Sequence, residues 1–236
     1  MRLMRWGAVG LFFTSNLGVA LAVQQVAQQP SADATAAVVK FEFTREGMSV
    51  PHFVLAIYED GGGTYEADEA GRRSADLALQ LVSRKHLDRK LTVSSATVGK
   101  VFKTARMLQL FNTECASKAK NIADSGTKTL SYSGASGTGS CTFNYSDNKS
   151  VTMLADIFLG MSYTLDVGRK LDFERRFDRL GLDAEMISLE HQVQEKNAVE
   201  LGMISSTLSG IASDEDLIQR VRLRAAKLVT LAAGGK

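Results

Sequence analysis

At 236 residues the chain is long enough for one large domain or two small ones. Its 44% hydrophobic and 23% charged residues are those of a globular protein and exclude the disordered class. The formal net charge is +2 with basic residues dispersed among acidic ones, which excludes the dense basic stripe of a nucleic-acid binder.

The first 22 residues read as an export signal. Arg2 and Arg5 precede the apolar run Trp6–Phe13, and a weaker stretch ends in Ala20-Leu21-Ala22. A positive start, a short apolar middle and small residues at the −3 and −1 positions make a secretory signal peptide, with cleavage after Ala22 leaving Val23 first. The alternative is a retained anchor helix. Against it, the apolar core falls short of the roughly 20 residues a span needs, and Thr14-Ser15-Asn16 interrupts it. Nothing after residue 30 approaches a spanning run, and the chain is expected to work in the periplasm or outside the cell. Residues 23–37, rich in Gln and Ala, read as a flexible lead-in.

Period-two alternation begins next. Val39, Phe41 and Phe43 share one face of a strand, and Phe53, Leu55 and Ile57 share one face of another. Asp60-Gly61-Gly62-Gly63 supplies turn residues before Thr64-Tyr65-Glu66, which gives a hairpin. Further strands are expected at Leu77–Ser83 and Leu91–Ser94. A helix follows with Val98, Val101, Phe102, Ala105 and Leu108 at helical spacing behind Ser94, Ser95 and Thr97 as caps, ending near Phe111–Asn112. A second hairpin pairs Lys128–Tyr132 with Ser140–Tyr145 through the loop Ser133–Gly139.

From Ser150, read as a cap, the pattern turns helical. Leu154, Ile157, Phe158, Met161 and Leu165 form a stripe, and Gly160 and Gly168 mark close packing or a break. The mixed-charge run Arg169–Arg179 reads as a solvated face with local ion pairs. Gly181 reads as a helix stop and Asp183 as the cap of a long helix with the stripe Met186, Leu189, Val193, Leu201, Ile204, Leu208 and Ile211. Ser213 with Asp216 reads as a capping box opening the last helix, whose inner residues are Ile218, Val221, Ala225, Leu228 and Val229. The fold class is therefore α+β: an antiparallel sheet with one inserted helix over 38–149, then a helical segment over 150–236, packed together as one unit.

Cys115 and Cys141 are the only cysteines. In an exported chain an even pair reads as one disulfide, stabilising by about 3–4 kcal/mol in the chain-entropy model. A catalytic thiol or a metal pair lacks support, since there is no Cys-x-x-Cys and no histidine nearby in sequence. Gly134–Gly139 suits a hairpin loop better than a phosphate cradle, because a strand follows it instead of a helix. Ser136 misses the nucleophile-elbow spacing by one residue. His52 at a strand start, His86 in a charged loop and His191 beside a helix stripe are the candidate imidazole bases. No metal-ligand spacing or cofactor motif is present. Asp214-Glu215-Asp216 fits a helix N-terminus, and Arg220, Arg224 and Lys227 suit either helix-dipole stabilisation or a partner surface. Asn144-Tyr145-Ser146 and Asn148-Lys149-Ser150 are sequons.

Phe41-Glu-Phe-Thr-Arg45, then Pro51-His-Phe53-Val-Leu-Ala-Ile57-Tyr-Glu-Asp60-Gly61 and Thr64-Tyr65, resembles the opening hairpin of small exported bacterial domains of unknown function. Relatives of that kind often carry cysteines before the proline, which this chain lacks. Lys118–Tyr145 and the tract from Thr164 to Asp183 resemble uncharacterised secreted proteins of soil bacteria such as acidobacteria. The resemblance implies bacterial export and supplies no catalytic residues. The leading expectation is a non-catalytic exported protein that binds a macromolecular partner, such as an envelope protein, through a sheet edge or a helical face. The alternative is a small hydrolase using one of the three histidines with a distant serine or carboxylate.

Overall fold

The computed structural model describes residues 36–69 and 85–234. The expected signal peptide with its Ala22 cleavage site, most of the lead-in and the strand at Leu77–Ser83 lie outside the described residues.

Six antiparallel strands form one sheet in the order β4-β3-β2-β1-β5-β6. They are β1 (Val38–Thr44), β2 (His52–Tyr58), β3 (Gly62–Glu69), β4 (Lys85–Thr92), β5 (Thr127–Gly134) and β6 (Gly137–Phe143). The alternation read from the sequence sets the faces. Val39, Phe41, Phe43, Phe53, Leu55 and Ile57 are buried, and Glu42, Thr44 and Lys40 point outward. β4 starts six residues before the expected Leu91, because charged residues fill both faces of a strand at the sheet's edge. His86 accordingly sits in β4 and not in a loop. The second hairpin is also tighter than expected: Gly134 pairs with Gly137, so most of the expected Ser133–Gly139 loop is strand.

Between β4 and β5 the chain crosses the inner face of the sheet as α1 (Ser95–Met107), burying Val98, Val101, Phe102 and Ala105. Ser94 caps it, accepting from the Thr97 amide at 3.3 Å. A short 3-10 turn, Gln109–Phe111, follows, and all three of its residues have positive φ. Left-handed backbone costs an L-residue roughly 1–2 kcal/mol. The turn is held by the buried Phe111 ring and by Asn112, whose amide donates to the Thr138 carbonyl at the β6 edge. The sulfurs of Cys115 and Cys141 lie 1.99 Å apart, at disulfide distance, joining the segment after this turn to β6.

The helical part is α2 (Lys149–Phe177), α3 (Arg179–Gln194), a 3-10 turn (Leu201–Ile204), α4 (Ser205–Ala212) and α5 (Gln219–Gly234). α2 runs 29 residues, about 44 Å, and joins two cores. Its first half packs Val151, Leu154, Phe158 and Met161 against the sheet, with the Phe158 and Phe41 rings stacked at 5.1 Å. Its second half contributes Val167 and Leu171 to a core shared with α3, α4 and α5.

Several expected helix ends move. The α2 cap is Asn148, whose side chain accepts from the Ser150 amide at 2.9 Å, and not Ser150. Gly181 does not stop a helix: the break falls at Asp178, whose carboxylate caps α3 by accepting from the Gly181 amide. Asp183 lies inside α3 and pairs with Arg220 and Arg224. The single long helix expected from Asp183 is instead α3, a 3-10 turn and α4, with Lys196 and Glu200 at positive φ between them. Ser213 closes α4 by donating to the Ser209 carbonyl, and α5 starts at Gln219. In α5, Val221, Ala225 and Leu228 are buried and Val229 is half-buried, whereas Ile218, expected to face inward, precedes the helix and is exposed.

Candidate functional site

The α2–α3 corner carries the largest exposed apolar side chains of the helical part. Phe173 is 50% exposed, Phe177 72% and Leu180 88%. The helix period puts Phe173 and Phe177 one turn apart on one side of α2, and their rings lie 5.0 Å apart. The Asp178 cap then reverses the chain and brings Leu180 onto the first turn of α3. The charges around them are anchored to neighbouring elements. Arg175 donates to Asp214 at 2.8 Å, and Arg179 donates to the Asp216 carbonyl at 3.2 Å. Asp214 is held below the ordinary carboxylate range, chiefly by that Arg175 hydrogen bond. The expected run of local ion pairs is thus largely a set of clamps between helices. Arg175 reaches the segment after α4, and Lys170 reaches Glu185 of α3.

Three basic residues of α5 are committed in the same way. Arg224 bonds both Asp183 and Glu190, Arg220 bonds Asp183, and Lys227 bonds Glu190. Neither reading from the sequence anticipated that arrangement, because the partner carboxylates lie more than 30 residues away. Asp214 works as an Arg175 partner and turn residue, accepting from the Asp216 amide.

The three histidines divide into a pair and a single ring. His52, Asp68 and His86 stand in one cross-strand row on the outer face of β2, β3 and β4. Asp68 lies 3.1 Å from His86 Nδ1 and 3.4 Å from His52 Nδ1, and Glu42 lies 3.2 Å from His52 Nε2. The hydrogen bond to Asp68 raises the His86 pKa, and the same bond lowers that of Asp68. His191 is on the exposed side of α3. Among the described residues no serine hydrogen-bonds any of the three rings, and no group of three His, Cys, Asp or Glu side chains is placed to hold a metal ion. Ser136 sits in the hairpin turn, 3.3 Å from the Tyr132 hydroxyl.

Two concavities flank the helices. A groove of about 1020 Å³ runs along α2 past Met153, Asp156, Ile157 and Tyr163 to Lys196 and Val199. Burial raises the Asp156 pKa, with Lys128 opposing it. A pocket of about 690 Å³ lies between the start of α1 and the end of α5, with Glu200 on its wall. That carboxylate is already occupied: it accepts from the Ser94 amide and hydroxyl and from the Thr97 hydroxyl. Neither space includes a histidine. Both sequon asparagines are structural as well. Asn144 accepts from Ser125 and donates to the Ala123 carbonyl, and Asn148 caps α2.

Compared with known proteins, the chain matches no family model and no curated protein. Among the described residues no helix is long and apolar enough to cross a membrane.

Proposed function

We propose that this chain is a non-catalytic exported protein that binds a macromolecular partner in the cell envelope through the α2–α3 corner. The observation that carries the reading is the exposure of Phe173, Phe177 and Leu180 together. Clustered exposed apolar side chains mark interaction sites, and aromatic residues including phenylalanine are enriched at the cores of such contacts. The corner is also well anchored, since the Asp178 cap and the Arg175–Asp214 pair fix both sides of it. A rigid presentation loses little entropy on binding. Export rests on the first 22 residues and accords with a cysteine pair at disulfide distance. The resemblance to secreted proteins of soil bacteria belongs to the same proposal.

The hydrolase alternative has less behind it. His52 and His86 share a carboxylate, but on an open sheet face with no serine among their partners in the described residues.

The test is site-specific photocrosslinking in the exporting cell. A photoreactive residue at Leu180 should give a discrete adduct with an envelope protein in the periplasmic fraction, and Phe177→Ser should abolish it. A probe at Lys103, exposed on α1, is the control. Adducts no different from those at Lys103, or a chain retained in the cytoplasm, would overturn the proposal.

A further inference from the structure

Lys170, Glu174 and Glu185 meet where α2 packs on α3. The Lys170 ammonium bonds Glu185 and stands 3.8 Å from Glu174. The Glu174 and Glu185 side chains are only 10% and 13% exposed. One ammonium therefore faces the buried Glu174 and the half-buried Glu185, and is committed to Glu185. The second oxygen of Glu174, Oε2, is buried without a hydrogen-bond partner among the described residues. An ionised carboxylate in that position is a buried charge that Lys170 compensates only in part, whereas a neutral carboxylic acid is far cheaper to bury.

We propose that Glu174 is a proton-accepting group that sets how firmly α3 seats on α2. The reaction is the transfer of one proton from solvent hydronium to the Glu174 carboxylate, leaving a water molecule. Burial raises the Glu174 pKa above the ordinary glutamate range, Lys170 opposes this, and Glu185 and Asp178 add to it. Asp166 and Tyr163 face Lys170 and Glu185 from α2, completing the charged surroundings. The folded state therefore binds this proton more readily than the unfolded chain does. Seating is loosest above the folded-state midpoint and tightens as pH falls through it toward the unfolded value. α3 seats through Leu182, Met186 and Leu189, all fully buried. Glu174 adjoins Phe173 in α2, but the inference does not depend on any partner.

The experiment uses the full mature chain labelled with carboxyl-¹³C glutamate, followed by NMR from neutral to acid pH. Glu174→Gln identifies the Glu174 signal. That signal should titrate above the ordinary midpoint of about 4.3. Exchange protection of the Leu182, Met186 and Leu189 amides, corrected for intrinsic rate, should rise as the proton is taken up. The rise should be roughly tenfold for each unit separating folded and unfolded midpoints. In Glu174→Gln the protection should stay level over that range. Glu185→Gln keeps the proposal testable if Glu174→Gln does not fold. It frees Lys170 for Glu174 and removes a neighbouring charge, so the Glu174 midpoint should fall. A midpoint at or below the ordinary value, an unchanged midpoint in Glu185→Gln, or the same pH response in Glu174→Gln would overturn the proposal.

Discussion

Gly168 lies so close beneath Ile204 that a β-carbon at position 168 would sit 2.4 Å from the Ile204 Cγ2 atom. The glycine is what lets the 3-10 turn carrying Ile204 press onto α2, and Ile204 is 1% exposed as a result. Gly168→Ala sets two effects against each other. Helix propensity favours alanine by about 1 kcal/mol, and overpacking a filled core costs about 1–3 kcal/mol. The packing term wins because the obstacle is a β-branched side chain with little freedom to turn aside. Urea denaturation should show a net loss of up to about 2 kcal/mol. Ile204→Ala alone should cost about 2–5 kcal/mol, and the double variant less than the sum of the two. Strict additivity would mean that the contact is not what Gly168 serves.

Gly168 also shows how much of the fold was legible in the sequence. Its presence in α2 announced either close packing or a break, and only the partner, 36 positions on, decides between them. The strand faces were legible because period-two alternation is a local property, as Phe41 and Leu55 show. The α2 stripe from Leu154 to Leu165 was legible for the same reason. The helix ends were not. Asp178 and Asp183 are both acids near the start of an apolar stripe, and either could cap it. Asp183 was lost as a cap because Arg220 and Arg224 claim it from α5. The apolar corner passed unnoticed because Phe173 and Phe177 keep helical spacing with buried positions, and spacing does not reveal that nothing in the described chain covers them. The His52–Asp68–His86 row needed the strand register, which the turn lengths alone did not supply.

That row has a defined pH behaviour. His86 is raised by its hydrogen bond to Asp68, with the charges of Asp68, Glu66 and Asp88 adding to it. The stability it contributes is fully present below the unfolded histidine value of about 6.5 and is lost as pH rises through the higher folded value. Asp68 is lowered, first by His86 and then by His52. Its contribution is present above the unfolded aspartate value of about 3.9 and is lost as pH falls through the depressed folded value. Between those limits the row is intact. Asp68→Asn should bring the His86 midpoint down toward its ordinary value in a proton NMR titration of the ring. Because the rings lie on an exposed face, the change in global stability should be small. An unmoved His86 midpoint would show that the carboxylate is not its partner.

The last prediction concerns Cys115 and Cys141, whose Cα atoms stand 5.8 Å apart across 26 positions of sequence. A bridge between them would join the segment after the left-handed turn to β6, and Cys115 and Cys141 are themselves buried at 3% and 8% exposure. Closing that loop should stabilise the chain by about 3–4 kcal/mol, most of it through restriction of the unfolded state. Protein recovered from an oxidising compartment should show no free thiol by mass spectrometry after denaturation in alkylating agent. Cys115→Ala with Cys141→Ala should lower the denaturation free energy by about 2–4 kcal/mol. Quantitative alkylation of both native cysteines, or a double variant as stable as the parent, would refute the bridge.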